Sequence, residues 1–224
     1  MTESTEDFFE QIPADHEVPW AMQIALRHDK QHPAARVDAC EAAARAVVSL
    51  LASTEAREGE WRAAVEYWRD GRICKLVRRA RGKRWDDVQA LPGVTIDQGR
   101  AAARAFVPGP ARPLPPALDK LQVSGTELPD EQTSHTEGAM VLVGVSPLAA
   151  MTTGKACAQC GHAAQLAWEA MTETERDRWQ ADDFRLRVET IAEARWASDV
   201  GRVQVVDAGF TEFEGPTETT RAWW

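Results

Sequence analysis

No apolar run in this 224-residue chain approaches the ~18 residues that a membrane span requires. Its first residues, MTESTEDFFEQ, lack the basic start and apolar stretch of a signal peptide. The two absences make a cytoplasmic protein without a membrane partner the expectation. Cysteine is scarce too, and Cys40, Cys74, Cys157 and Cys160 are too scattered for the disulfide framework of a secreted domain. Cys157-x-x-Cys160 has no second Cys or His pair at zinc spacing and no thioredoxin-like context. These cysteines read as buried helix residues, and neither a metal nor another cofactor is expected. A Ser-His-Asp or Cys-His arrangement is also lacking, so any hydrolytic chemistry would use water as its nucleophile.

Positive charge is short overall, with a net charge of −9, but it is unevenly spread. Residues 1–19 form an acidic tail with six acids and no Lys or Arg. Residues 20–107 carry 16 basic against 11 acidic side chains, whereas 139–224 carry 8 against 13. Arg72, Lys75, Arg78, Arg79, Arg81, Lys83 and Arg84 fall within thirteen residues. Such a cluster is either a phosphate-contacting surface, with Arg78, Arg79, Lys83 and Arg84 its foremost members, or a solvated face that offsets nearby acids.

What the chain does have is a hydrophobic content of 44% and nine tryptophans, enough for a packed core of one large or two smaller domains. Residues 108–138 hold six prolines and read as a linker or strap between two segments of similar length, 20–107 and 139–224. The segments match one another. Placing Cys40 on Cys160 aligns WAMQIAL with MVLVGVS and CEAAARA with CGHAAQL. Trp68 and Trp85 lie 17 residues apart, as do Trp179 and Trp196, and each pair brackets an apolar-rich run. Asp97 then falls near Asp207.

The second segment carries chemistry. A helix over 154–171 turns about 100° per residue, so Lys155, Gln159 and His162 sit at roughly 0°, 40° and 340°. They form one polar stripe on a helix of Ala, Cys, Leu, Trp and Met. Desolvating three polar groups does not help stability, so the stripe points to the wall of a site. Around it the pattern predicts a buried strand over 139–145, a capped short helix from Thr172 to about 180, a strand over 185–191 and a helix over 193–199. A further buried strand is expected over 203–207 and an edge strand over 217–223. The expected fold is α/β: two tandem units of a mixed four-stranded sheet flanked by helices, the first degenerate.

The run GKACAQCGHAAQ after AMVLVGV, answered about 50 residues later by VVDAGFTEF, resembles the archaeal and eukaryotic class of peptidyl-tRNA hydrolase. That family opens a helix with Gly-Lys, continues with Ala-Gln and His-Ala, and carries Asp-Ala-Gly-x-Thr on a later strand. The resemblance covers about 139–224, and over its full length the chain also resembles a group of longer actinobacterial proteins assigned to this family. It implies a mixed four-stranded sheet between helices, tRNA as partner and hydrolysis of the ester joining a peptide to tRNA. Lys155, Asp207 and Thr211 would then be catalytic. Lys155 would face the developing oxyanion or the terminal phosphate, Asp207 would orient water and Lys155, and Thr211 would complete the network. Thr219 matches a further family threonine, while Gln159 and His162 are site walls or substrate hydrogen-bonders. Phe210 and Glu212 depart from the family, which usually has a basic residue or His, and Gln, at those places. A non-catalytic tRNA-binding or protein-interaction module of the same fold is the alternative.

The first unit lacks the site: Ala35, Ala39 and Ala42 stand at the Lys155, Gln159 and His162 positions, and Ala101 at that of Thr211. Only Asp97 remains. Family members one unit long generally pair as homodimers, which implies that the two units pair within one chain and leave it a monomer.

Overall fold

The computed structural model describes residues 18–130, 133–208 and 212–224. The first unit contains β1 (Trp20–Arg27), α1 (Arg36–Ala52), α2 (Thr54–Arg57), α3 (Arg62–Asp70), β2 (Lys75–Ala80), α4 (Lys83–Val88), β3 (Gly93–Gln98) and β4 (Ala101–Phe106). A short β5 (Gly109–Pro110) and α5 (Pro116–Asp119) follow. The second unit contains β6 (Val141–Val145), α6 (Thr153–Ala170), α7 (Glu173–Ala181), β7 (Leu186–Thr190), α8 (Glu193–Ser198), β8 (Val203–Asp207) and β9 (Thr217–Trp223).

The two sheets have one topology, β2-β1-β4-β3 and β7-β6-β9-β8, with β5 added to β1. In each the first pair is parallel and the other pairings are antiparallel. The row Arg79–Leu26–Ala103–Ile96 crosses the first sheet as Thr190–Val145–Thr220–Val205 crosses the second. The first tryptophan of each spaced pair has the same role. Trp68 Nε1 donates to the Cys74 carbonyl at 3.2 Å and Trp179 Nε1 to that of Arg185 at 2.9 Å. Each indole is fully buried and ties the helix to the residue ahead of its parallel edge strand.

The units join through α1 and α6, which lie between the two sheets. Helix α1 packs on β3 and β4 of its own sheet and on β7 of the other; α6 packs on β8, β9 and β2. Their contact faces are Ala, Cys and Gly, which lets the axes come close. Cys40 and Cys157 bring their sulfurs to 3.7 Å, both buried as the sequence suggests. A Cβ on Gly161 would lie 3.1 Å from Cγ2 of Val47.

Two strand assignments differ from expectation. Strand β8 is an edge with only Val205 buried, and Val206 stands 58% exposed. Strand β9, read as an edge from its polar TETTRAW, is central. Its polar groups find internal partners. Buried Arg221 donates to both carboxylate oxygens of Glu218 at 2.7 Å and to the carbonyls of Trp196 at 2.5 Å and Asp199 at 2.7 Å. Burial with every guanidinium nitrogen bonded costs little, and polarity alone does not reveal it.

The segment 108–138 is a packed strap. Gln122 bridges Arg79 of β2, and the Leu128 amide donates to Thr153 Oγ1 at 3.1 Å. Further on, Ser134 and Thr136 donate to the fully buried carboxylate of Glu41 on α1, at 2.5 and 2.7 Å.

Because Gly161 admits Val47, Gly161→Val should force the helices apart and cost about 1–3 kcal/mol. The expected readout is a lower urea midpoint. Adding Val47→Ala should recover part of the loss, a non-additivity that separates interface crowding from a local helix effect.

Candidate functional site

Helix α6 begins where the Thr152 hydroxyl accepts the Lys155 amide at 3.2 Å. The carboxylate of Glu212 accepts from both the Thr152 amide, at 3.1 Å, and its hydroxyl, at 2.7 Å. This places an anion at the positive end of α6 and pins the β8–β9 loop to it, which gives the unusual Glu212 a structural role. One turn into α6, Lys155 Nζ donates to Asp207 Oδ2 at 2.5 Å. The two side chains are 12% and 13% exposed, enough to reach a cavity while largely shielded from water.

A second turn sets this pair. Gln159 Nε2 donates to the same oxygen of Asp207 at 2.9 Å, and its Oε1 lies 2.8 Å from the hydroxyl of Thr219. That hydroxyl is also 3.2 Å from the Val205 carbonyl, while Thr220 donates to the Gln159 carbonyl at 3.1 Å. With its oxygen facing a hydroxyl and its NH2 facing a carboxylate, the amide of Gln159 has one consistent orientation. Phe213 stacks beneath Lys155, its ring centre 5.6 Å from Nζ. Lys155, Gln159, Asp207 and Thr219 therefore converge as the sequence suggests. Thr211 and Phe210 lie outside the described residues.

His162 lines the same cavity but joins a different group. Its Nδ1 is 3.1 Å from Nζ of Lys75, which also donates to Gln165 Oε1 at 2.5 Å and lies 4.9 Å from the Trp68 ring centre. Burial pushes the Lys75 pKa down from 10.5 to about 7. Burial, then the charges of Lys75 and Lys155, hold the His162 imidazole well below its usual value. A neutral imidazole can accept from Lys75 at Nδ1, which leaves the proton on Nε2.

Lys75 comes from the first unit, so the site is shared. The cavity, about 910 Å³, is walled by Arg72–Val77 at the edge of the first sheet, by Val123–Thr126 of the strap, by α6 and by β8. Sequence reasoning grouped Lys75 with the basic cluster and missed its place here, since nothing local sets it apart from the other cations of β2. The four foremost members of that cluster do not form one surface, and Arg78 is buried. Arg78 is buried on Gln23 Oε1, at 2.8 Å, and the Leu121 carbonyl, at 3.1 Å, so it cannot contact a ligand. Arg79 holds the strap through Gln122 and Gly125, Arg84 holds Lys120, and Lys83 pairs with Asp87 in its own helix. None of the four lines the cavity.

The first unit's counterpart of Asp207 is also different. Following the matched rows two residues on from Ile96 and Val205 leads to Gln98, not Asp97. Strand side chains alternate faces, so Asp97 points outward, 74% exposed, with Arg27 3.8 Å away. Gln98 points inward, donating to Glu41 at 2.8 Å and accepting from Arg45 at 2.8 Å.

Among the described residues no helix is long and apolar enough to cross a membrane. Comparison with family models, curated proteins and solved structures finds no match.

The Lys75 ammonium is penalised by burial below pH 7. In the folded chain it loses its proton near 7, whereas an unfolded chain keeps it until about 10.5. Stability from this group therefore rises with pH across that window. Lys75→Met should stabilise the protein most at pH 6, on the order of a few kcal/mol. The gain should shrink steadily towards pH 10 in paired urea titrations.

Proposed function

We propose that the chain hydrolyses the ester between a peptidyl or N-acylaminoacyl group and the terminal ribose of tRNA. The observation that carries the reading is the Lys155–Asp207 pair, oriented by Gln159 and Thr219 at the wall of the cavity. The order Gly-Lys, Gln, His and then Asp-Ala-Gly-x-Thr, which resembles peptidyl-tRNA hydrolases of the archaeal and eukaryotic class, supports the substrate.

In this reading Asp207 accepts a hydrogen bond from the attacking water. The water oxygen bonds to the ester carbon, and its proton passes by way of Asp207 to the departing ribose oxygen. The carbonyl electrons move onto oxygen, where Lys155 stabilises them; an ammonium has three donors, so it can serve Asp207 and an oxyanion together. Collapse of the tetrahedral intermediate breaks the carbon–ribose oxygen bond, releasing a carboxylic acid and tRNA. Thr211 is assigned here by the motif alone. The reading as a non-catalytic tRNA- or protein-binding module is favoured by one contact: the Glu212 carboxylate already occupies the N-terminus of α6, where a substrate anion would be attracted.

Hydrolysis of N-acetyl-[14C]aminoacyl-tRNA tests the proposal. Lys155→Ala and Asp207→Asn should each lower kcat/KM by roughly 10²–10⁴. A well-folded wild-type chain that binds the substrate without hydrolysing it would establish the binding module instead.

A further inference from the structure

The first unit has a second concave site, away from Lys155, at the end of its sheet where β1, β2 and the β3–β4 turn finish. It is a cavity of about 1000 Å³ whose walls bring together Arg27, His28, Lys30, His32, Arg81 and Arg100. Only Arg81 belongs to the sequence cluster, and the others come from two further elements. The tight turn needs Gly99, whose φ of +54° and contact with the Asp38 carboxylate leave no room for a side chain.

The walls themselves carry four cationic side chains, Arg27, Lys30, Arg81 and Arg100, against two carboxylates. Of the carboxylates on the walls, Asp29 accepts from the amides of Gln31, at 2.8 Å, and His32, at 3.3 Å, and lies 3.6 Å from the His32 ring; Asp86 is the other. Arg27 spends one nitrogen on the Arg100 carbonyl at 3.4 Å and lies 3.8 Å from Asp97. Burial first, then the charges of Arg81, Arg79 and Lys30, lower the His28 pKa against the raising effect of its backbone hydrogen bond. Arg81 Nε is buried without a hydrogen-bond partner in the chain, and the His28 ring bonds to its own backbone.

We propose that this cavity binds a phosphate group of a polynucleotide. Arg81 and Arg27 supply planar donors matched to phosphate oxygens, Lys30 and Arg100 supply charge, and the His28 ring stands on the same wall. A shallow, open cavity suits a phosphate carried on a larger backbone. The phosphate chemistry stands on these residues alone; that the polynucleotide is tRNA rests on the reading given above. The degenerate unit would then hold the body of the RNA while the second unit works on its end.

The test pairs two measurements on the full chain. The first follows the His28 imidazole by 15N-resolved NMR during titration with inorganic phosphate. A saturable shift and a raised His28 pKa are expected, both absent in Arg81→Ala. The second measures binding of deacylated tRNA against salt concentration. The triple variant Arg27→Ala/Arg81→Ala/Arg100→Ala should bind at least about tenfold more weakly, with a salt slope smaller by roughly 2. Arg62→Ala, on the exposed face of α3 and outside both cavities, should match wild type in both. No His28 response to phosphate in a folded protein would overturn the site. A phosphate response with unchanged tRNA binding would overturn the polynucleotide and assign the cavity to small phosphates. Loss of tRNA binding in the triple variant would support the site even where the chain hydrolyses no ester.

Discussion

The close approach of α1 and α6 is the constraint on which the rest depends. Each helix must face its own sheet and the other helix together, and each also touches the edge strand of the opposite sheet. That geometry favours small side chains where the helices meet, hence the runs of Ala, Cys and Gly, with Val47 of α1 received at Gly161 of α6. A larger residue at Gly161 would meet Val47 and the stem of Lys75, which are 3.1 and 3.4 Å from the position of its Cβ. One packing contact thus holds the units together and sets the wall of the site.

From that contact follows the division of labour between the units. Strand β2 is an edge of the first sheet, and its Lys75 projects across the interface towards His162 and Gln165 of α6. On the opposite side β7 meets α1, but there the strap fills the space. Ser134, Thr136, Gln98 and the Val188 amide all donate to Glu41, so the carboxylate is fully engaged. The same pseudo-symmetric arrangement leaves one side a cavity and makes the other a filled, hydrogen-bonded plug. A buried carboxylate with four donors is structural; a lysine–carboxylate pair at the wall of a cavity is available for chemistry.

Much of the fold was legible in the chain. Helix α6 runs over 153–170 against an expected 154–171, and β8 and β9 span the expected residues. These elements carry strong local signals: an apolar helix opened by Thr152, the Thr172 and Glu175 capping box, and tryptophans at a repeated spacing. Strand order was less accessible, since β9 looked too polar for a central place. Its polarity is matched by Glu218 and by carbonyls far away in sequence, and no local pattern displays such partners.

The sequence by itself determined the periodic elements, the duplication and the polar stripe of Lys155 and Gln159, because these depend on spacing along one helix or on local turns. Only the tertiary structure decided which charged groups meet. Arg78, Arg79, Lys83 and Arg84 are neighbours in sequence, yet one is buried and the others hold the strap or pair within a helix. Lys75 joins the site from the other unit, and Arg81 joins Arg27 and Arg100 at a sheet end. Asp97 and Gln98 exchange roles because strand side chains alternate, so a one-residue difference in register turns a carboxylate from the interior to solvent. Side-chain direction and the meeting of distant strands are set by packing, which adjacency along the chain does not encode.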